Sequence, residues 1–138
     1  MSMSDILTIP RTLANKLLTL AQHTPEAEIC GLISTTADDQ YHLYPVNNIA
    51  TQSDCVFEMD PQQQIEAFRK MREQDERLFA IFHSHPHSAA IPSEKDLHDA
   101  TYAEALNIII SLSTEGVLDM RGYFYRNNAI EPVDLAIG

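Results

Sequence analysis

Leu78-Phe79-Ala80-Ile81-Phe82-His83-Ser84-His85-Pro86 is the segment from which the rest of the chain can be placed. Its near-continuous apolar run reads as a strand covered on both faces, and therefore as a central strand of a sheet. Residues two apart on a strand share a face, so His83 and His85 point one way and Ser84 the other. The pairing is useful only if the strand runs through His85, and Pro86 marks its stop. After a loop to Pro92, Ser93-Glu94-Lys95-Asp96 reads as a helix start, with Ser93 as cap and an acidic residue three positions on. Ser93 and Asp96 lie on one helix face, so both can turn toward the same point.

Outward from this segment the chain alternates between strands and helices. Ile6 to Ile9 predicts a short edge strand, and Pro10 suits the first position of a helix whose apolar positions continue to Ala21 or His23. Ile29 to Ser34 and Tyr41 to Val46 predict a strand pair about an Asp38-Asp39-Gln40 turn. Asn47 to Asp54 is polar and loop-like, and Val56 to Met59 predicts another short strand. Asp60-Pro61 caps a helix whose inner face carries Ile65, Phe68 and Met71 to about Gln74. The helix opened by Ser93 should run to about Ala105, and Leu106 to Leu112 is a buried strand. Arg121 to Tyr125 and Ala129 to Ile137 form a hairpin about Asn127-Asn128, with Pro132 marking an edge. The expectation is an α/β fold: one domain over 1–138, with a mixed sheet of seven or eight strands flanked by about three helices.

Composition narrows the functional classes. The 138 residues are 44% apolar and 21% charged, which fits a globular domain. A formal net charge of -11 argues against sequence-independent binding to nucleic acid or anionic membranes. No apolar run approaches a membrane span, and the N-terminus shows no export signal, so a cytoplasmic location is expected. Cys30 and Cys55 are too few for a disulfide framework and are expected to be reduced thiols.

The chemistry gathers at the end of the central strand, the edge at which open α/β sheets place ligands. Read singly, each piece is ordinary: a His-x-His is usually structural, and Ser-x-x-Asp is a common cap. Together they fit a three-ligand zinc site of His83, His85 and Asp96 with a fourth position for water. His87 keeps the parity but lies beyond the proline. His98 is two residues past Asp96, about 200° round the helix, and points away. Cys30 sits in an apolar strand, where thiols are usually inert. His23 and His42 read as surface or satisfied histidines, and His87-Ser88 as part of a substrate groove. Ser84 faces away from both histidines, which disfavours a Ser/His nucleophile.

The whole pattern, His-x-His-Pro, six residues, then Ser-x-x-Asp, resembles the signature of the JAMM metalloproteases, the zinc-binding branch of the MPN (Mov34/Jab) family. Pro25-Glu26-Ala27-Glu28-Ile29-Cys30-Gly31 is similar to the context of the upstream catalytic glutamate in small prokaryotic members, with Glu28 the matching position. The Asn47-Asn48 loop and the Asp60-Pro61 helix start look like those members too. The resemblance implies a single curved MPN-type sheet of the cytidine-deaminase-like kind. It implies one Zn²⁺ held by His83, His85 and Asp96, Glu28 as general base and acid, and Ser93 as donor to the tetrahedral oxyanion. It also implies a substrate: a ubiquitin-like or sulfur-carrier protein with a Gly-Gly tail, cleaved after its last glycine. Two other classes stand beside this one. One is a non-catalytic module that binds ubiquitin-like partners. The other is a zinc hydrolase acting on a small amide; a deaminase would need His-x-Glu and Cys-x-x-Cys, and neither occurs. Oligomeric state has no signature in the sequence.

Overall fold

The computed structural model of the chain describes residues 6–98, 104–113 and 119–138. In chain order the elements are β1 (Ile6–Ile9), α1 (Arg11–His23), β2 (Cys30–Thr35), β3 (Tyr41–Val46), α2 (Pro61–Glu73), β4 (Arg77–His85), α3 (Glu94–His98), β5 (Leu106–Ser111), β6 (Asp119–Arg126) and β7 (Ala129–Ile137). The seven strands form one mixed sheet in the order β1-β7-β6-β5-β4-β2-β3. β4 is parallel to β5 and antiparallel to β2, and β1 is parallel to β7. The expected α/β architecture is therefore the observed one.

Strand alternation sorts the core into two layers. Ile33, Ala80, Phe82, Ile108 and Ile110 meet Leu13, Ala14, Leu17 and Ala21 of α1 on one face. Leu32 and Ile81 meet Ala67 and Met71 of α2 on the other. β4 is thus covered on both sides, as its apolar run requires. His83 and His85 continue the Ile81 parity, so they lie on the α2 face, just beyond the part that α2 covers. Gly31 permits the close seating of β2 on β4: a Cβ there would lie 2.5 Å from the Tyr44 carbonyl oxygen and 2.6 Å from Phe82 Cζ.

Local signals explain most boundaries. Asp60 caps α2 by accepting from the Gln62 and Gln63 N–H groups, and Pro61 opens the helix. Asn127 and Asn128 both take positive φ, 53° and 60°, as a tight hairpin turn demands. Pro10 is the cap of α1 rather than its first residue.

Four expectations need correction or a boundary. Val56–Met59 is not a strand; only Met59 pairs, in an isolated bridge to Asn48. Ile65 does not face inward but is 65% exposed, because Ala67 and Met71 set the buried stripe of α2. β7 is not an edge strand. Pro132 is nevertheless tolerated, because β1 pairs only with Asp134 to Ile137 and leaves Pro132 with β6 alone. α3 is described only to His98, so the expected continuation toward Ala105, and the direction of the His98 side chain, lie outside the described residues.

Candidate metal centre

The strand persists through His85, and both imidazoles are buried at its end. Their Nε2 atoms are 3.2 Å apart. Asp96 Oδ2 lies 3.3 Å from His83 Nε2 and 3.4 Å from His85 Nε2. The three contacts cannot all be hydrogen bonds: a carboxylate only accepts and each imidazole offers at most one proton at Nε2, so any placement of the protons leaves one pair donor to donor or acceptor to acceptor. Their separations have another explanation. Ligands about 2.0–2.1 Å from a tetrahedral zinc are about 3.3–3.4 Å from each other, so the triangle has the edge length of a tetrahedral face. The donor set fits a zinc ion by type and by spacing.

The sequence around each donor shows why it points here. His85 Nδ1 lies 2.8 Å from the Ala89 carbonyl oxygen, which takes a proton at Nδ1 and leaves Nε2 a lone pair for the centre. Ser93 and Asp96 cap each other: the Ser93 N–H donates to Asp96 Oδ2 at 2.9 Å, and the Asp96 N–H donates to Ser93 Oγ at 3.0 Å. Capping and site-building are therefore the same contacts. The Ser93 hydroxyl, accepting from the backbone, keeps its own proton to donate.

Charge at the centre is held by these contacts. Burial opposes ionisation of Asp96, but the two imidazoles and the Ser93 N–H overcome it and hold the carboxyl well below the usual range. Burial keeps the His83 imidazole below its ordinary value against the pull of Asp96. Burial also works against His85, yet Asp96 and the Ala89 carbonyl raise it.

Glu28 stands beside this triangle. One of its carboxylate oxygens and the two imidazole nitrogens fall within 4.8 Å of one another. Glu28 Oε1 is buried with no hydrogen-bond partner among the described residues. Burial lifts its carboxyl to about 7; His85 lowers it in part, while Asp96 and Asp54 push it further up. The Glu28 backbone is fixed on both sides, its N–H donating to the Ser53 carbonyl at 2.6 Å and its carbonyl accepting from Asn48 Nδ2 at 2.9 Å.

Several contributors are invisible to local sequence patterns. Phe57 stacks on His83 with ring centroids 4.4 Å apart. The loop after β4 is tied to the sheet: Tyr123 donates to the Ala90 carbonyl at 2.5 Å and Ser111 to the Ser88 carbonyl at 2.7 Å. The one available signal was parity, since Ser111 and Tyr123 lie in register with His85 and Asn107 across β5.

Two clefts flank the centre. The wider, about 790 Å³, is bounded by Val56, Phe57, Met59, Ile81, Asp96 and Tyr125. The smaller, about 350 Å³, is bounded by Glu28, Asp54, His85, His87, Ile91 and Ser93. His87 and Ser88 both line the smaller one. The remaining candidates stay outside the chemistry. Cys30 is buried, donates to the Val46 carbonyl, and is pushed up to about 12 by burial and by Glu28. Cys30 and Cys55 are both free thiols. His42 sits beside Glu76 at 3.6 Å, and His23 is exposed. Among the described residues no helix is long and apolar enough to cross a membrane.

Comparison with known proteins identifies the family and the fold. A family model for prokaryotic homologs of the JAB domain matches residues 10–123. A CysO-cysteine peptidase of Mycobacterium tuberculosis is 28% identical over 134 residues, covering 94% of this chain and 91% of the relative. A desampylase of Haloferax volcanii is 27% identical over 89 residues, covering 63% of this chain; the match spans 64% of the relative's length. The solution structure of a Desulfitobacterium hafniense protein superposes with a TM-score of 0.82 at 26% identity, covering 96% of this chain and 92% of that one.

Proposed function

The chain belongs to the family of prokaryotic homologs of the JAB domain, and from that footing we propose that it is a zinc metallopeptidase. Its substrate is a ubiquitin-like or sulfur-carrier protein, cut after the C-terminal glycine of a Gly-Gly tail. The observation that carries the reading is the triangle of His83, His85 and Asp96 donor atoms at tetrahedral edge length, with a buried, unpartnered carboxylate beside it. The likeness to a desampylase and to a CysO-cysteine peptidase supports hydrolysis of conjugates of ubiquitin-like modifiers.

In this reading His83, His85 and Asp96 hold one zinc ion. Zinc, when bound, polarises the scissile carbonyl and lowers the pKa of an attacking water to about 7. Glu28 takes the proton of that water and returns it to the departing amine. Its buried position gives it an affinity for protons suited to both halves of that cycle. Ser93 donates its hydroxyl proton to the oxygen that becomes negative, and the cap with Asp96 fixes where that hydroxyl stands. The Ala89 carbonyl keeps His85 in one tautomer throughout.

The test is cleavage of a carrier conjugate by zinc-loaded protein, read by mass spectrometry beside a Glu28→Gln control. The expected result is a free carrier ending in Gly-Gly with wild type alone. No cleavage of any Gly-Gly conjugate, or equal cleavage by the control, would contradict the proposal.

A further inference from the structure

We propose that Asn107, with Tyr125 beside it, is a substrate-positioning residue: on the floor of the wider cleft it hydrogen-bonds the peptide group that joins the Gly-Gly pair to the residue before it. The proposal rests on the peptidase reading and adds to it the side chains that hold the acyl tail.

The wider cleft takes the acyl side because of Glu28. In amide hydrolysis the water oxygen bonds to the carbonyl carbon, the C–N bond breaks, and the nitrogen leaves with a proton from the general acid. The nitrogen therefore departs on the Glu28 side. Glu28 borders the smaller cleft and not the wider one. The tail that precedes the scissile carbonyl is left with the wider cleft, whose volume of about 790 Å³ has room for several extended residues.

Sheet register lays out the floor of that cleft. Ile81 pairs with Asn107, and Asn107 with Tyr123, so the three share a face. His83 lies two positions past Ile81 on that face, and Tyr125 two positions past Tyr123. Ile81, His83, Asn107 and Tyr125 all border the wider cleft. β5 is otherwise apolar until Ser111, and an amide buried there needs partners. Asn107 is 7% exposed, and its Nδ2 lies 3.4 Å from the Ala105 carbonyl oxygen and 3.5 Å from that of Tyr123. Two contacts of that length satisfy an amide poorly.

Its polar neighbours on the same face differ. Ser111 and Tyr123 donate to the loop after β4. The Tyr125 hydroxyl is buried and has no partner among the described residues. Burial, reinforced by Asp96, raises its pKa, so it stays a neutral donor. A poorly satisfied amide and an unpartnered hydroxyl in the wall of one cleft match the donor and acceptor of a peptide group. Both are uncharged, so the match does not depend on the charge of zinc or of Glu28. The hydroxyl is shielded from water, so Asn107 makes the first contact and Tyr125 joins when the tail parts the wall.

Spacing selects the peptide group. Ile109 stands opposite His83, and Asn107 is two residues short of it, roughly 7 Å along the strand. An extended tail advances with about the same rise, so Asn107 meets it about two residues upstream of the scissile carbonyl. That is the bond before the Gly-Gly pair.

The experiment uses zinc-loaded Glu28→Gln protein, so that binding is read without turnover, and two carrier conjugates. They are identical except that one has a trans-alkene in place of the peptide bond before Gly-Gly. The all-amide conjugate should bind at least about tenfold more tightly. Adding Asn107→Leu should shrink that gap to about threefold or less, with zinc content unchanged. Adding Tyr125→Phe instead should weaken the all-amide conjugate at least about threefold, with Tm at or above that of its parent, because the deleted hydroxyl has no partner to lose. A gap that survives Asn107→Leu or closes only with loss of zinc, or Tyr125→Phe binding as tightly as its parent, would overturn the proposal and leave the peptidase reading in place. Wild type that fails to cleave the all-amide conjugate would contradict the peptidase reading and remove the proposal with it.

Discussion

Ser84 clasps the backbone of Ile29. The Ile29 N–H donates to Ser84 Oγ at 2.9 Å, and the Ser84 N–H donates to the Ile29 carbonyl at 3.0 Å. The residue between the two histidines thus fixes the chain immediately after Glu28, from the face opposite the centre. Ser84→Ala leaves a partly buried N–H without its acceptor and should lower the unfolding free energy by about 1–3 kcal/mol. It should also reduce kcat while leaving zinc affinity intact, because it disturbs Glu28 and not the histidine rings. Denaturant unfolding and a zinc titration check both arms, and a loss of zinc affinity with normal kcat would contradict the assignment.

Two carboxylates stand within reach of the histidines, and metal content separates their roles. Asp96 Oδ2 lies 3.3 and 3.4 Å from the two imidazole nitrogens, and a Glu28 oxygen falls within 4.8 Å of the same nitrogens. Asp96→Asn should lose stoichiometric zinc, and Glu28→Gln should keep about one zinc per chain. The reverse pattern, measured by elemental analysis after gel filtration, would place Glu28 on the metal.

The Tyr123 hydroxyl acts on the centre at one remove. It holds the Ala90 carbonyl, next to the Ala89 carbonyl that sets the His85 tautomer. Tyr123→Phe keeps the buried ring and deletes that bond. Zinc affinity, read by competition with a chelating dye, should weaken about tenfold, a loss typical of groups that orient metal ligands. Wild-type affinity in this variant would remove Tyr123 from the account.

Glu28 also leaves a signature in the stability of the metal-free protein. Its carboxyl is raised from 4.5 to about 7 in the fold. A raised carboxyl binds more protons folded than unfolded, so its contribution declines as pH rises from about 4.5 to about 7. Glu28→Gln cannot ionise and escapes that decline. The Tm of Glu28→Gln relative to wild type should therefore rise between pH 4 and pH 7.5 in chelator, both values being about one half unit outside the window. A difference flat across that range would show that Glu28 is not held protonated by burial.

Much of this was legible in the sequence because the decisive signals are local. Parity and Pro86 gave the direction of His83 and His85, and Ser93-x-x-Asp96 gave a cap that doubles as a site wall. Asn127-Asn128 and Asp60-Pro61 are turn and cap chemistry with few alternatives. Contacts between distant segments were not legible. Val56 to Met59 has strand composition, but Phe57 is used to stack on His83 and only Met59 finds a bridge partner. Ile65 has the right spacing for the buried face of α2, yet the helix is rotated to bury Ala67 and Met71. Strand alternation turns Ser84 to the opposite face, while its hold on Ile29, fifty-five positions earlier, has no local signal in the sequence.

One titration tests the central claim most directly. Zinc is added stepwise to metal-free wild type and to Glu28→Gln, with bound metal and Gly-Gly conjugate cleavage measured at every step. The account predicts that wild-type activity rises in proportion to bound zinc and levels off at about one per chain, while Glu28→Gln binds the same amount and stays inactive. Cleavage that persists without zinc, or a Glu28→Gln protein as active as wild type at equal zinc, would contradict it.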